Sequence, residues 1–256
     1  MIGISEMFGI TLDENFKRPF FSTSITDFWH RWHITLGTWM KDYVFYPVTL
    51  SRWMSKFGKW GKKTFGKKIG RALPIGAANL VVFFVVGVWH GAAWKYIVYG
   101  MYNGIIIAFS GIMADNYRTW KKKLHITGKE TWYYLFTVIR TFILVIISTY
   151  FDRANNVGHA FQMMKQSVTS FVPSQLLLVP AGKLGTSFTP YALAIIIVGC
   201  VIQFIVSVLQ ERGVKIRESL SKLPLPVTVA VYFCLLVSIG LFGSTAVARG
   251  FIYAQF

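Results

Sequence analysis

Residues 72–94 read ALPIGAANLVVFFVVGVWHGAAW, and no side chain in this run carries a fixed charge. Its part 72–89 is near the length a helix needs to cross the hydrocarbon core of a bilayer. Helices satisfy their own backbone hydrogen bonds in lipid, so the stretch predicts a membrane-spanning helix. One residue is costly there. His90, within Gly87-Val88-Trp89-His90-Gly91, puts a titratable imidazole at the edge of the apolar run, and intramembrane ionisable residues mark functional sites by default.

Four further apolar segments follow, at about 94–114, 131–151, 190–210 and 225–248. With 54% hydrophobic and 14% charged residues, the chain is too apolar for an ordinary soluble domain. The sequence therefore predicts an all-α, polytopic integral membrane protein. It should have about five transmembrane helices in a transmembrane region 72–248, with interfacial or re-entrant helices before them, all within one membrane-embedded domain over 1–256.

The net charge of +17 sits in patches between the apolar runs, at 52–71, 118–130 and 211–222. Placing all three on the cytoplasmic side lets the five spans alternate without conflict, as the positive-inside rule expects. The basic balance then points to anionic membrane lipid rather than nucleic acid, for which no recognition fold remains. The stretch 52–71 is expected to be a cytoplasmic loop. The turn near His90 and the segment 152–189 face outward or lie within the membrane, and Gly76, Gly87, Gly91, Gly100 and Gly104 offer places to break the first two spans into half-helices. Residues 1–20 hold Glu6, Asp13, Glu14, Lys17 and Arg18, unlike a signal peptide. Cys200 and Cys234 lie in apolar runs without CxxC or metal spacing and read as small core hydrophobes.

Residues 20–60 form an aromatic-rich block broken by charges, suited to the interface or to a re-entrant element. Ser24 followed by Asp27 marks a helix start. Continued helically, Phe28, Trp32, Leu36 and Trp39 share one face, and His30, His33 and Gly37 another. His30 and His33 lack a third ligand nearby, so hydrogen bonding is the expected use rather than metal, with Asp27 and Asp42 available to orient them. Arg140 lies too deep in its apolar segment to reach the interface easily and should face the protein interior or a wet cavity. Pairing with a carbonyl or carboxylate, and a direct substrate role, both fit it.

The chemistry is sparse. There is no phosphate-binding Gly-rich loop, no GxSxG and no HExxH, and only ten acidic residues. His90 is the best candidate for a general base, against the alternative of a satisfied structural histidine.

The run Ser24-Ile25-Thr26-Asp27-Phe28-Trp29-His30-Arg31-Trp32-His33-Ile34-Thr35-Leu36, with Trp39 and Lys41-Asp42-Tyr43, resembles the hallmark block of membrane-bound O-acyltransferases. It is most similar to the bacterial branch of alginate O-acetyltransferases and teichoic-acid D-alanyl transferases. Gly87 to Trp94 resembles the block holding that family's essential histidine, and Gly250 to Phe256 resembles the branch's C-terminus. Met1 to Phe20 resembles the sequence just upstream of the hallmark block, so the chain reads as a C-terminal portion of a longer architecture.

The resemblance implies acyl transfer, acetyl foremost, from a thioester donor (acetyl-CoA or an acyl carrier protein) to hydroxyls of a cell-surface polysaccharide such as alginate. It implies no bound cofactor. His90 corresponds to the catalytic histidine and His33 to the second histidine. Asp27, Arg31, Trp32 and Asp42 match supporting positions, joined on this reading by Trp89 and Arg140. The implied partners are membrane lipid, the donor or its carrier protein, and an extracellular or periplasmic polysaccharide or acyltransferase. The implied location is a bacterial cell membrane, Gram-negative inner or Gram-positive plasma. D-alanyl transfer to teichoic acid is the nearest alternative. A transporter, scaffold or inactive fragment is the alternative of another class, with His90 and Arg140 on an ion path, although no mid-span carboxylate or paired inverted segment supports it.

Overall fold

A computed structural model describes residues 2–170, 172 and 190–242, which divide into two compact units on either side of residues 171 and 172. Among the described residues the chain is helical and contains no strand, only an isolated antiparallel bridge between Phe16 and Trp32.

The first unit opens with α1 (Ile2–Met7) and a 3-10 turn (Pro19–Phe21). It continues through α2 (Ile25–Arg31), α3 (Ile34–Met40), a π-helical turn (Lys41–Phe45) and α4 (Tyr46–Leu50). Then come α5 (Arg52–His90), α6 (Trp94–Ile112), α7 (Ala114–Lys123), α8 (Thr131–Arg153) and α9 (Val157–Thr169).

The predicted N-cap is present. Ser24 Oγ accepts from the Asp27 amide at 3.0 Å, and the Asp27 carboxylate reaches back to accept from the Thr23 amide at 3.0 Å. The continuous helix expected beyond it is not. Trp32 is extended and His33 left-handed (φ 51°, ψ 55°), so α2 and α3 are separate helices and the single aromatic face does not form.

The second correction concerns 52–71. This stretch is helical and belongs to α5, whose first arm, 52–65, reverses at Gly66 (φ 84°, ψ 169°), a conformation that only glycine adopts freely. The arms pack at van der Waals limits. A Cβ on Gly70 would fall 2.2 Å from the Lys62 nitrogen, and one on Gly58 would fall 2.9 Å from Pro74 Cγ. The basic residues thus line a helical hairpin that also exposes Trp53, Trp60 and Phe65.

The remaining arm, 67–90, packs along α6. Here too the glycines act against expectation. Gly87, Gly100 and Gly104 do not break helices; they let two backbones meet, since a Cβ on Gly100 would lie 2.1 Å from the Phe83 carbonyl oxygen. Gly91 alone interrupts, at φ 144°.

Among the described residues three helices are long and apolar enough to cross a membrane: α5, α8 and the helix Pro190–Glu211, here α10. The pair α6 and α7, bent by 59°, makes a fourth if it is one span. The fifth expected segment appears as a shorter apolar helix, α12 (Leu225–Phe242), after α11 (Ile216–Ser221). These last three helices form the second unit. Cys200 and Cys234 are exposed on α10 and α12 rather than in a core. Large apolar side chains face outward on α8 (Ile139, Phe142, Ile143) and α10 (Ile197, Phe204), as they do where lipid is the solvent. The expectations for 173–189, 243–248 and Gly250 to Phe256 lie outside the described residues.

Candidate active site

The end of α5 presents His90. The Gly91 amide caps the helix by donating to the Val88 carbonyl at 3.1 Å, and α6 begins at once. Gly91 is needed for its dihedral and for space, because a Cβ there would stand 2.9 Å from the Tyr96 ring. His90 sits in an aromatic collar. It stacks on Tyr96 (centroids 6.0 Å, 24°) and meets the edges of Tyr99 at 5.2 Å and Trp89 at 4.9 Å.

His33 arrives from the other block. A left-handed dihedral at a non-glycine residue costs about 1–2 kcal/mol and persists only where neighbours enforce it. Here residues 15–17 enforce it from both sides. The Lys17 amide donates to the Arg31 carbonyl at 2.9 Å and the Ile34 amide to the Asn15 carbonyl at 3.0 Å. Asn15 Oδ1 accepts from the Thr35 amide at 3.0 Å and from Thr35 Oγ1 at 2.6 Å.

So held, His33 meets Trp89 edge-to-face at 5.6 Å and 84°. Trp89 therefore carries the two histidines, His33 and His90, on one indole. His33 also lines a cavity of about 440 Å³ with His30, Lys41 and Asn79, of which His90 is not a lining residue. Its Nδ1 is buried without a hydrogen-bond partner, an atom in want of a polar group. Burial lowers its pKa below the ordinary histidine value and keeps the ring neutral at pH 7.

Trp29 docks the first block onto the helices. Its Nε1 donates to Asn103 Oδ1 at 3.3 Å, Asn103 donates to the Tyr99 carbonyl at 2.9 Å, and the Trp29 ring lies 5.1 Å from Phe83.

The other predicted residues take different places. Asp27 does not orient a histidine. Its carboxylate receives Arg31 Nε at 2.9 Å and the Thr23 amide, and the Thr23 carbonyl receives Arg140 Nη2 at 2.8 Å, a polar chain tying α2 to α8. The carbonyl pairing of Arg140 is one of the two uses open in the sequence. Trp32 stacks on Phe28 at 5.7 Å and meets Phe16 at 4.8 Å. Asp42 is exposed in the π-helical turn, and no hydrogen bond joins it to His30 or His33 among the described residues.

Sequence reasoning missed Asn15, Trp29's polar bond, Asn103 and Lys95. Asn103 had a signal, a lone amide in the apolar run 101–109, and it is 1% exposed. Lys95 had one too, a cation beside the histidine block. It donates to the carbonyls of Asp152 (3.2 Å) and Ala154 (2.8 Å), where cations suit a helix C-terminus.

The family model of the membrane-bound O-acyltransferases matches residues 2–148, the part of the chain that carries both histidines. The chain belongs to the membrane-bound O-acyltransferase family. Among curated members of this family, it is 34% identical over 149 residues to a teichoic acid D-alanyltransferase of Bacillus subtilis, covering 58% of this chain and 34% of that protein. It is 33% identical over 178 residues to a probable alginate O-acetylase of Pseudomonas syringae, covering 68% of this chain and 28% of that one. It is 32% identical over 167 residues to a peptidoglycan O-acetyltransferase of Helicobacter pylori, covering 65% and 27%. The matched chain thus spans about a third or less of these acyltransferases.

Proposed function

We propose that the protein takes part in O-acyl transfer from a thioester to a hydroxyl of a cell-envelope polysaccharide, at a bacterial plasma or inner membrane. The observation that carries this reading is the meeting of His33 and His90 on Trp89, across 56 residues of sequence.

His90 acts as general base. It removes the proton from the attacking hydroxyl as the oxygen bonds to the thioester carbonyl carbon. The resulting oxyanion collapses, the C–S bond breaks, and the thiolate leaves as a thiol with the proton from His90. Atoms balance as alcohol plus thioester giving ester plus thiol. His33, neutral, steadies the oxyanion through its one ring N–H, a contribution of roughly 3–4 kcal/mol for one such donor. The donor reaches the site from the cytoplasm and the polymer from outside, which accounts for a polar pair placed within a membrane protein.

His90→Ala in the chromosomal gene tests the reading. The expected result is loss of ester-linked acyl groups from envelope polymers, measured by mass spectrometry, with the protein at its normal level. Unchanged acylation refutes it.

The identity to the teichoic acid D-alanyltransferase supports a second reading, D-alanyl transfer from a carrier-protein thioester with the same residues. Identifying the acid released by mild base as acetate or D-alanine separates the two.

A further inference from the structure

On the other side of the first block, a groove of about 700 Å³ runs between α6, α7 and α8. Its lining carries two cations, Arg140 and Lys121, and no acid. Arg140 projects from α8 nine residues after Thr131, too far into an apolar helix to be solvated cheaply. Of the five N–H groups of a guanidinium, one is held by the Thr23 carbonyl, and the rest meet no protein acceptor among the described residues. Lys121 lies 4.6 Å over the Tyr133 ring at the same groove.

The acids nearest in sequence are committed elsewhere. Asp115 faces Arg118 at 3.4 Å and Lys68 at 3.7 Å. Glu130 accepts from the amides of Thr127 and Gly128 and from the Thr127 hydroxyl, which hold its pKa down to about 2.

The groove is therefore cationic and uncompensated, but its walls are apolar. Ile106 and Phe109 from α6 face Phe136 and Leu144 from α8. Phe109 and Phe136 also belong to the outward apolar surface of their helices. Tyr117 and Trp120 close the end beside the basic last turn of α7, where interfacial aromatics belong. A small soluble anion would satisfy the cations and leave these walls wet.

We propose that this groove holds an anionic phospholipid of the bilayer, its phosphate between Arg140 and Lys121 and an acyl chain along α6 and α8. The site is separate from the histidine pair, and the inference does not rest on the acyl-transfer reading.

Native mass spectrometry of the full chain tests it, in neutral detergent with equimolar dioleoyl phosphatidylglycerol and dioleoyl phosphatidylcholine. Each cation near an anionic headgroup is worth about fivefold in affinity, so phosphatidylglycerol should be retained roughly 30-fold over phosphatidylcholine. Arg140→Gln and Lys121→Gln should each lose about fivefold of that preference. Arg140→Lys, which keeps the charge, and Lys59→Gln, on the α5 hairpin, should keep it. Lys121 lies on a surface helix, so its variant still decides the matter if Arg140→Gln does not fold.

Equal retention of the two lipids overturns the proposal, as does a preference that survives both Gln variants. Displacement of phosphatidylglycerol by millimolar inorganic phosphate overturns it in favour of a soluble anion. Exclusion of both lipids overturns it in favour of a protein cover.

Discussion

His33 and His90 meet on the same indole but are held by opposite means. His90 ends a long helix whose position is fixed by close backbone packing, with Gly87, Gly100 and Gly104 letting α5 and α6 touch. His33 sits in a left-handed joint between two seven-residue helices, fixed by hydrogen bonds from Asn15 and Lys17. One histidine is placed by shape and the other by polar pinning. Shape tolerates no added volume, whereas pinning fails bond by bond.

The largest effect should come from the histidines themselves. His90→Ala should lower acyl transfer by about 10²–10⁴-fold, the range of a positioned general base. His33→Ala should cost less, as the loss of one oxyanion donor, about 10²–10³-fold. Rates measured with each variant at equal protein level check the ranking, and a larger loss for His33 would reverse the assigned roles.

Next comes the packing of α5 on α6. Gly100→Ala forces a methyl against the Phe83 carbonyl and should destabilise the protein by about 3 kcal/mol, the upper part of the overpacking range. Thermal unfolding in detergent measures it, and Gly111→Ala, where a Cβ meets nothing within 4 Å, is the control.

Breaking the pin should be milder. Asn15→Ala removes the acceptor of two hydrogen bonds at Thr35 and should cost about 1–2 kcal/mol. Because it frees His33 rather than unpacking a helix, it should reduce transfer more than its stability loss explains, with Gly100→Ala at matched stability as the comparison.

The smallest effect is in pH. The folded-state pKa of His33 is depressed by burial, so its unfolded form binds a proton first. Stability from this group is complete above its unfolded value of about 6.5 and falls away as pH drops through the lower folded value. Denaturation midpoints from pH 7.5 to 5 should decline less steeply in His33→Gln than in the unaltered chain.

The same contrast explains what was legible in the sequence. His90 stands out because it interrupts a run whose meaning is set by hydropathy alone, and the apolar segments carry the helical fold directly. The break at His33 is not visible locally. Its residues favour continuing the helix, and the bonds that forbid it come from Asn15, in a polar stretch with no regular period. The hairpin in α5 was partly readable, since Trp53, Phe57 and Trp60 recur at helical spacing, but the dense lysines suggested a solvated loop. The groove was the least legible part, because Arg140 could be seen to need a partner while Lys121 could not be seen to line the same cavity.

The reversal at Gly66 has a consequence for synthesis. A straight α5 of 39 residues would be about 58 Å long, nearly twice the thickness of a hydrocarbon core, whereas the arm 67–90 alone is about 36 Å. The basic arm leaves the ribosome first and is met by Gly70 and Pro74 within some twenty residues. The hairpin is thus a local event, closed by the approach of Gly58 to Pro74 and of Gly70 to Lys62, and it needs nothing from α6 to form.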